Sequence, residues 1–73
     1  MFNINLNSID KVRVFASIVE LHDGDVDARQ DRYVIDAKSI MGLFSLSLIN
    51  PVTIEAIEDE EGLCEKLREK GLL

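Results

Sequence analysis

Asp36-Ala37-Lys38-Ser39-Ile40-Met41-Gly42-Leu43-Phe44-Ser45-Leu46 is the stretch on which the fold of this 73-residue chain turns. The residues leading into it, Tyr33 to Ala37, have strand character. Ser39 then supplies a side-chain oxygen for the free N–H groups of a helix's first turn. Behind it, Leu43 and Leu46 fall on a core-facing side, while Ile40, Met41 and Phe44 share another face at i, i+1 and i+4. A strand therefore runs into a short helix, expected to end near Leu48 because Asn50-Pro51 is a turn that cannot extend it.

Working towards the N-terminus, Val26 to Arg29 pairs with Tyr33 to Ala37 as a hairpin around Gln30 and Asp31. His22-Asp23-Gly24-Asp25 interrupts the apolar pattern and marks a turn. Before it, Ile9, Val12, Phe15, Ala16 and Val19 recur at helical spacing, with Asn7 or Ser8 as cap and Asp10 at the positive end of the helix dipole. Met1 to Leu6 alternates as a half-buried strand, with Phe2, Ile4 and Leu6 on one side. In so small a sheet it is a candidate edge strand.

Working towards the C-terminus, Val52 to Ala56 alternates again, and the acidic run Glu58 to Glu61 opens a last helix on Leu63, Cys64 and Leu67. Gly71 suits a left-handed C-terminal cap, with Leu72 as its apolar contact. The order β-α-β-β-α-β-α predicts one α+β domain over residues 1–73. Its architecture is a two-layer open-faced sandwich: a four-stranded antiparallel sheet with helices on one face.

Charge and composition narrow the function. The formal net charge is −6, which opposes nucleic-acid binding, where phosphate contacts need a basic surface. Sheet-face RNA readers also need aromatics, and the chain has three Phe, one Tyr and no Trp. One cysteine permits no internal disulfide, consistent with a reducing cytoplasm. The N-terminus lacks a signal-peptide pattern, and no segment approaches membrane-spanning length, so a cytoplasmic location is expected. Asp23-Gly24-Asp25-Val26-Asp27 begins like a calcium loop, but Ala28 and Val34 stand where glycine and a bidentate glutamate are required. No metal, no cofactor, no nucleophile with its base and no phosphate loop is expected; the chain does not read as an enzyme.

The segment Ala37-Lys38-Ser39-Ile40-Met41-Gly42, with Ser45-Leu46 after it, resembles the regulatory-serine segment of the HPr family, the phosphocarriers of the bacterial sugar phosphotransferase system. The element order, Phe15 in the first helix and the acidic opening Glu58-Asp59-Glu60-Glu61 of the last helix extend the resemblance over nearly the whole chain. It implies an HPr-like fold. It also implies a loop before the first helix carrying a phosphorylatable histidine, with an arginine and a proline close behind. Aligned on Ser39 and Phe15, this chain has Ser8 at the histidine position, Asp10 at the arginine and Lys11 at the proline, and the loop is shortened. Phosphoryl transfer needs a neutral imidazole nitrogen and cationic donors for the phosphate oxygens. Ser8 would form a far less labile ester, and Asp10 would repel the group.

What the resemblance leaves is regulation at Ser39. The family's matching serine is phosphorylated by a dedicated ATP-dependent kinase, and the product binds a transcriptional regulator. The expectation is a regulatory or adaptor module with Ser39 as switch, Lys38 as flanking positive charge, and Ile40, Met41 and Phe44 as docking face for protein partners. Two alternatives stay open. Ser39 can be only a helix cap on a constitutive binding module, or His22 can serve as substitute nucleophile of a divergent phosphocarrier. Apart from that role, His22 reads as a surface residue in the last turn of the first helix, and Cys64 as part of the core.

Overall fold

A computed structural model describes residues 1–73. Its elements are β1 (Phe2–Ile4), α1 (Ile9–Glu20), β2 (Val26–Gln30), β3 (Tyr33–Asp36), α2 (Ile40–Phe44), β4 (Val52–Ala56) and α3 (Glu60–Glu69). The four strands form one antiparallel sheet in the order β1-β4-β2-β3. This is a small α+β domain with an open sheet, in the expected order of elements. No helix is long and apolar enough to cross a membrane.

The register separates the two faces of the sheet. Phe2, Ile54, Ala28 and Ile35 lie in one row across the four strands, and Ile4 sits beside Val52. Most of these side chains are buried, together with Val12, Phe15 and Val19 of α1, Leu43 of α2, and Leu63 and Leu67 of α3, in a single cluster. The opposite face carries Asn3, Thr53, Arg29 and Val34 in one row and Glu55, Asp27 and Asp36 in the next. It is tied by Thr53 Oγ1 donating to Asn3 Oδ1 at 2.7 Å and by an Arg29–Glu55 ion pair at 3.1 Å. Alternation along each strand thus sends one set of residues under the helices and leaves the other to solvent.

Helix ends follow their local chemistry. Ser8 caps α1, its Oγ accepting Lys11 N–H at 3.2 Å. At the end of α3, Gly71 has φ +76°, Leu72 N–H reaches Leu67 C=O at 2.9 Å and Gly71 N–H reaches Arg68 C=O at 3.0 Å. That pair of bonds is the Schellman arrangement expected of Gly71, and Leu72 packs against the core. Asp59 caps α3 from a left-handed φ of +48°. A Cβ at Gly62 would collide with the Asp59 carboxylate, so this cap requires glycine three residues on.

Several boundaries differ from the sequence reading. The first strand is paired only over Phe2–Ile4, although Leu6 is still buried. Ile9 is exposed, because it lies in the first turn of α1, ahead of the Val12–Phe15–Val19 stripe that meets the sheet. Gln30 is a buried strand residue, and the two-residue turn is Asp31-Arg32, with Asp31 at φ +54°. Gln30 also accounts for α2 stopping at Phe44 rather than near Leu48. Its Nε2 donates to Ser47 O and Asn50 O at 2.9 and 3.2 Å, and its Oε1 accepts Ser47 N–H at 2.7 Å. Those bonds hold residues 47–50 against the sheet, and Leu46 turns inward just before them.

Candidate functional site

The Ser39 segment is built by Asp36. Its Oδ1 accepts Lys38 N–H and its carbonyl accepts Ser39 N–H, both at 2.9 Å, so the chain reverses directly out of β3. Ser39 is extended, with φ −93° and ψ 106°, and its Oγ accepts Gly42 N–H at 3.3 Å. It is exposed at the surface and caps α2 as its residue type predicts.

Only Leu43 of α2 is buried. Met41 is 78% exposed, and Ile40 and Phe44 are each 42% exposed. The apolar face foreseen beside Ser39 is therefore open to solvent. Gly42 lies close against β3: a Cβ there would lie 3.3 Å from Ile35 Cδ1, so any side chain would require Ile35 to give way by a few tenths of an ångström. On its other side, α2 faces α1 across a shallow groove of about 290 Å³ lined by Arg13, Ala16, Ser17, Glu20, Lys38 and Ile40.

Lys38 carries its charge on an exposed residue, but the ammonium is engaged. Nζ donates to the carbonyl of His22 at 2.6 Å, just beyond the C-terminal end of α1. His22 itself corrects the expectation of a surface residue within the helix. It follows the α1 cap Leu21, is buried, and its Nε2 lies 2.6 Å from Glu58 O. A carbonyl only accepts, so Nε2 carries the hydrogen and donates it. Lys38, His22 and Glu58 thus tie together the β3–α2, α1–β2 and β4–α3 connections at one end of the molecule.

Ser8 is half-buried at the start of α1, its hydroxyl occupied by the cap bond, with Asp10 in the first turn and no basic residue in the last. Cys64, expected in the core, is only partly buried, and burial pushes its thiol above the ordinary value of 9.0. It shares a shallow surface depression with Glu60, Glu61, Glu65 and Arg68. No group of three or more His, Cys, Asp or Glu side chains is arranged to hold a metal ion.

Two polar residues escaped the sequence reading. Gln30 anchors the loop after α2, and a polar residue at an inward strand position was its available signal. Glu60 accepts the Met1 ammonium on Oε2 at 2.9 Å and Ala56 N–H on Oε1 at 3.2 Å, joining β1 and β4 to α3. That pairing spans 59 residues and has no local signature. No protein-family model, no curated protein and no solved structure matches this chain.

Proposed function

We propose that this chain is a divergent member of the HPr family that lacks the carrier histidine and acts as a regulatory or adaptor module, switched by phosphorylation of Ser39. The observation that carries the reading is the juxtaposition of an exposed capping serine with an exposed apolar face, Ile40, Met41 and Phe44, on the same short helix. The β-α-β-β-α-β-α order and the open sheet agree with what the resemblance implies. A phosphate on Ser39 would add roughly 1.5 to 2 negative charges beside that face. Lys38 and Arg13 are the cationic side chains that line the adjacent groove. A partner would read the apolar residues and the new charge together, as docking surfaces combine a desolvated anchor with a charged rim.

A constitutive module is the second reading, favoured by the bond that already occupies Ser39 Oγ as a cap. A phosphoryl relay through His22 receives no support, since the ring is buried and Nε2 is held by Glu58. The test is intact mass after incubation with ATP and an HPr-type kinase, alongside Ser39→Ala. One phosphate added to the parent and absent from the variant supports the switch. No addition, with partner binding that is lost in Met41→Asp and indifferent to Ser39, supports the constitutive module instead.

A further inference from the structure

Strand β3 lies at the margin of the sheet, and its second edge is unpaired within the chain. The hairpin register identifies the backbone groups on that edge. Ala37 N–H donates to Val26 O at 2.8 Å. By alternation, Ala28–Ile35 and Gln30–Tyr33 are hydrogen-bonded pairs, whereas Arg29–Val34 and Asp27–Asp36 are not. The N–H and C=O of Val34 and the N–H of Asp36 therefore point away from β2. The Asp36 carbonyl already accepts Ser39 N–H, which closes the strand at that end.

The side chains along this edge are self-complementary in one register. Val34 and Asp36 project from the face opposite the helices, and Arg32, an exposed residue of the Asp31-Arg32 turn, stands at the start of the strand. A twofold axis through Val34 lets the two Val34 residues exchange N–H···O=C bonds. It also brings the exposed turn residue Arg32 of each copy level with Asp36 of the other, twice, so that opposite charges meet at both ends of the seam. On the helix side, Tyr33 meets Ile35 of the other copy, an aromatic and β-branched pair of the kind that stabilises neighbouring strands. Sliding one strand by two residues sets Val34 against a charge; sliding it by four sets Asp36 against Asp36 or Arg32 against Arg32, which is repulsive. Arg32 forms neither of the ion pairs within the chain, and Val34 and Tyr33 are 55% and 63% exposed.

We propose that β3 pairs with β3 of a second copy across this axis, joining two four-stranded sheets into one. The axis is perpendicular to the sheet, so the helices of both copies stay on one side and the α2 segments flank the seam. This inference does not depend on Ser39 being phosphorylated. Two effects keep the association weak. A seam of five residues from each copy falls well short of the roughly 1,000 Å² expected of a stable interface, and each copy carries a net charge of −6. A Kd on the order of 1 mM is expected, with about half the chains dimeric near that concentration.

The test is sedimentation equilibrium at physiological salt from about 0.02 to 3 mM, a range that brackets that Kd. The samples are the parent chain, Arg32→Asp, Asp36→Arg and a 1:1 mixture of the two variants. The parent mass is expected to rise towards that of a dimer, and each variant, which opposes like charges, to stay monomeric. The mixture restores opposite pairs and is expected to regain mass. Because the Asp36 carboxylate also accepts Lys38 N–H, circular dichroism checks that variant's fold; Arg32→Asp carries the test alone if Asp36→Arg unfolds. A parent chain that stays monomeric throughout, or association untouched by Arg32→Asp, overturns the proposal.

Discussion

Ser8 and Ser39 begin their helices with the same bond, each hydroxyl accepting the N–H three residues on, at 3.2 and 3.3 Å. Beyond the caps the two regions diverge. Helix α1 runs 12 residues and buries Val12, Phe15 and Val19; α2 runs 5 residues and buries only Leu43. Acid also separates them, with Asp10 in the first turn of α1 and none in that of α2. Capping chemistry is local and repeats wherever the residue type does. What a helix contributes depends on how much of it the sheet covers. Helix α1 is a structural member, whereas α2 is a surface element held by one leucine, one glycine and the turn made by Asp36.

Phe15→Ala should produce the largest change, a loss of about 3–5 kcal/mol typical of a large buried side chain, read from urea unfolding. Leu43→Ala should cost about 2–4 kcal/mol globally. In hydrogen exchange it should also strip protection from α2 before α1 is touched. Equal loss of protection in both helices would break the contrast drawn between them. Gln30→Ala removes three bonds to residues 47–50 and should cost about 1–3 kcal/mol through polar groups left without partners. Ser8→Ala and Ser39→Ala should each cost about 1 kcal/mol. A much larger penalty at Ser39 would mean that α2 is more deeply tied to the fold than its burial indicates.

The smallest effect concerns pH. The Met1 ammonium beside Glu60, helped by Ala56 N–H, holds the Glu60 carboxyl below its ordinary value of 4.5. A depressed folded-state value means that the ion pair stabilises the protein above the unfolded carboxylate range. That contribution disappears as pH falls through the lowered value. Glu60→Gln should therefore narrow the difference in stability between pH 6 and pH 3, measured by thermal unfolding. An unchanged acid limb would show that this exposed pair contributes nothing measurable.

Legibility in the sequence followed the range of the interactions. The Gly71 termination of α3, the Ser39 cap and the alternation of Val52–Ala56 each depend on neighbours within a few residues. Gln30 reads as part of a turn because its partners lie 17 and 20 residues away. His22 reads as a surface residue for the same reason: its carbonyl and ring are satisfied by Lys38 and Glu58, 16 and 36 residues distant. Ile9 has the right spacing for the core, but spacing cannot say where the sheet ends beneath a helix.

By itself, the sequence determined the order of strands and helices, the Ser39 and Gly71 caps, and the alternation of the first and last strands. These follow from hydrogen bonding and periodicity along a short stretch of chain. Only the tertiary structure decided that β4 lies between β1 and β2 and leaves the β3 edge open. It alone made His22 an interior link rather than a surface group, and tied the Lys38 ammonium to a backbone carbonyl. The reason is physical: a buried polar atom must find a partner wherever the fold brings one, and sequence spacing holds no record of that distance.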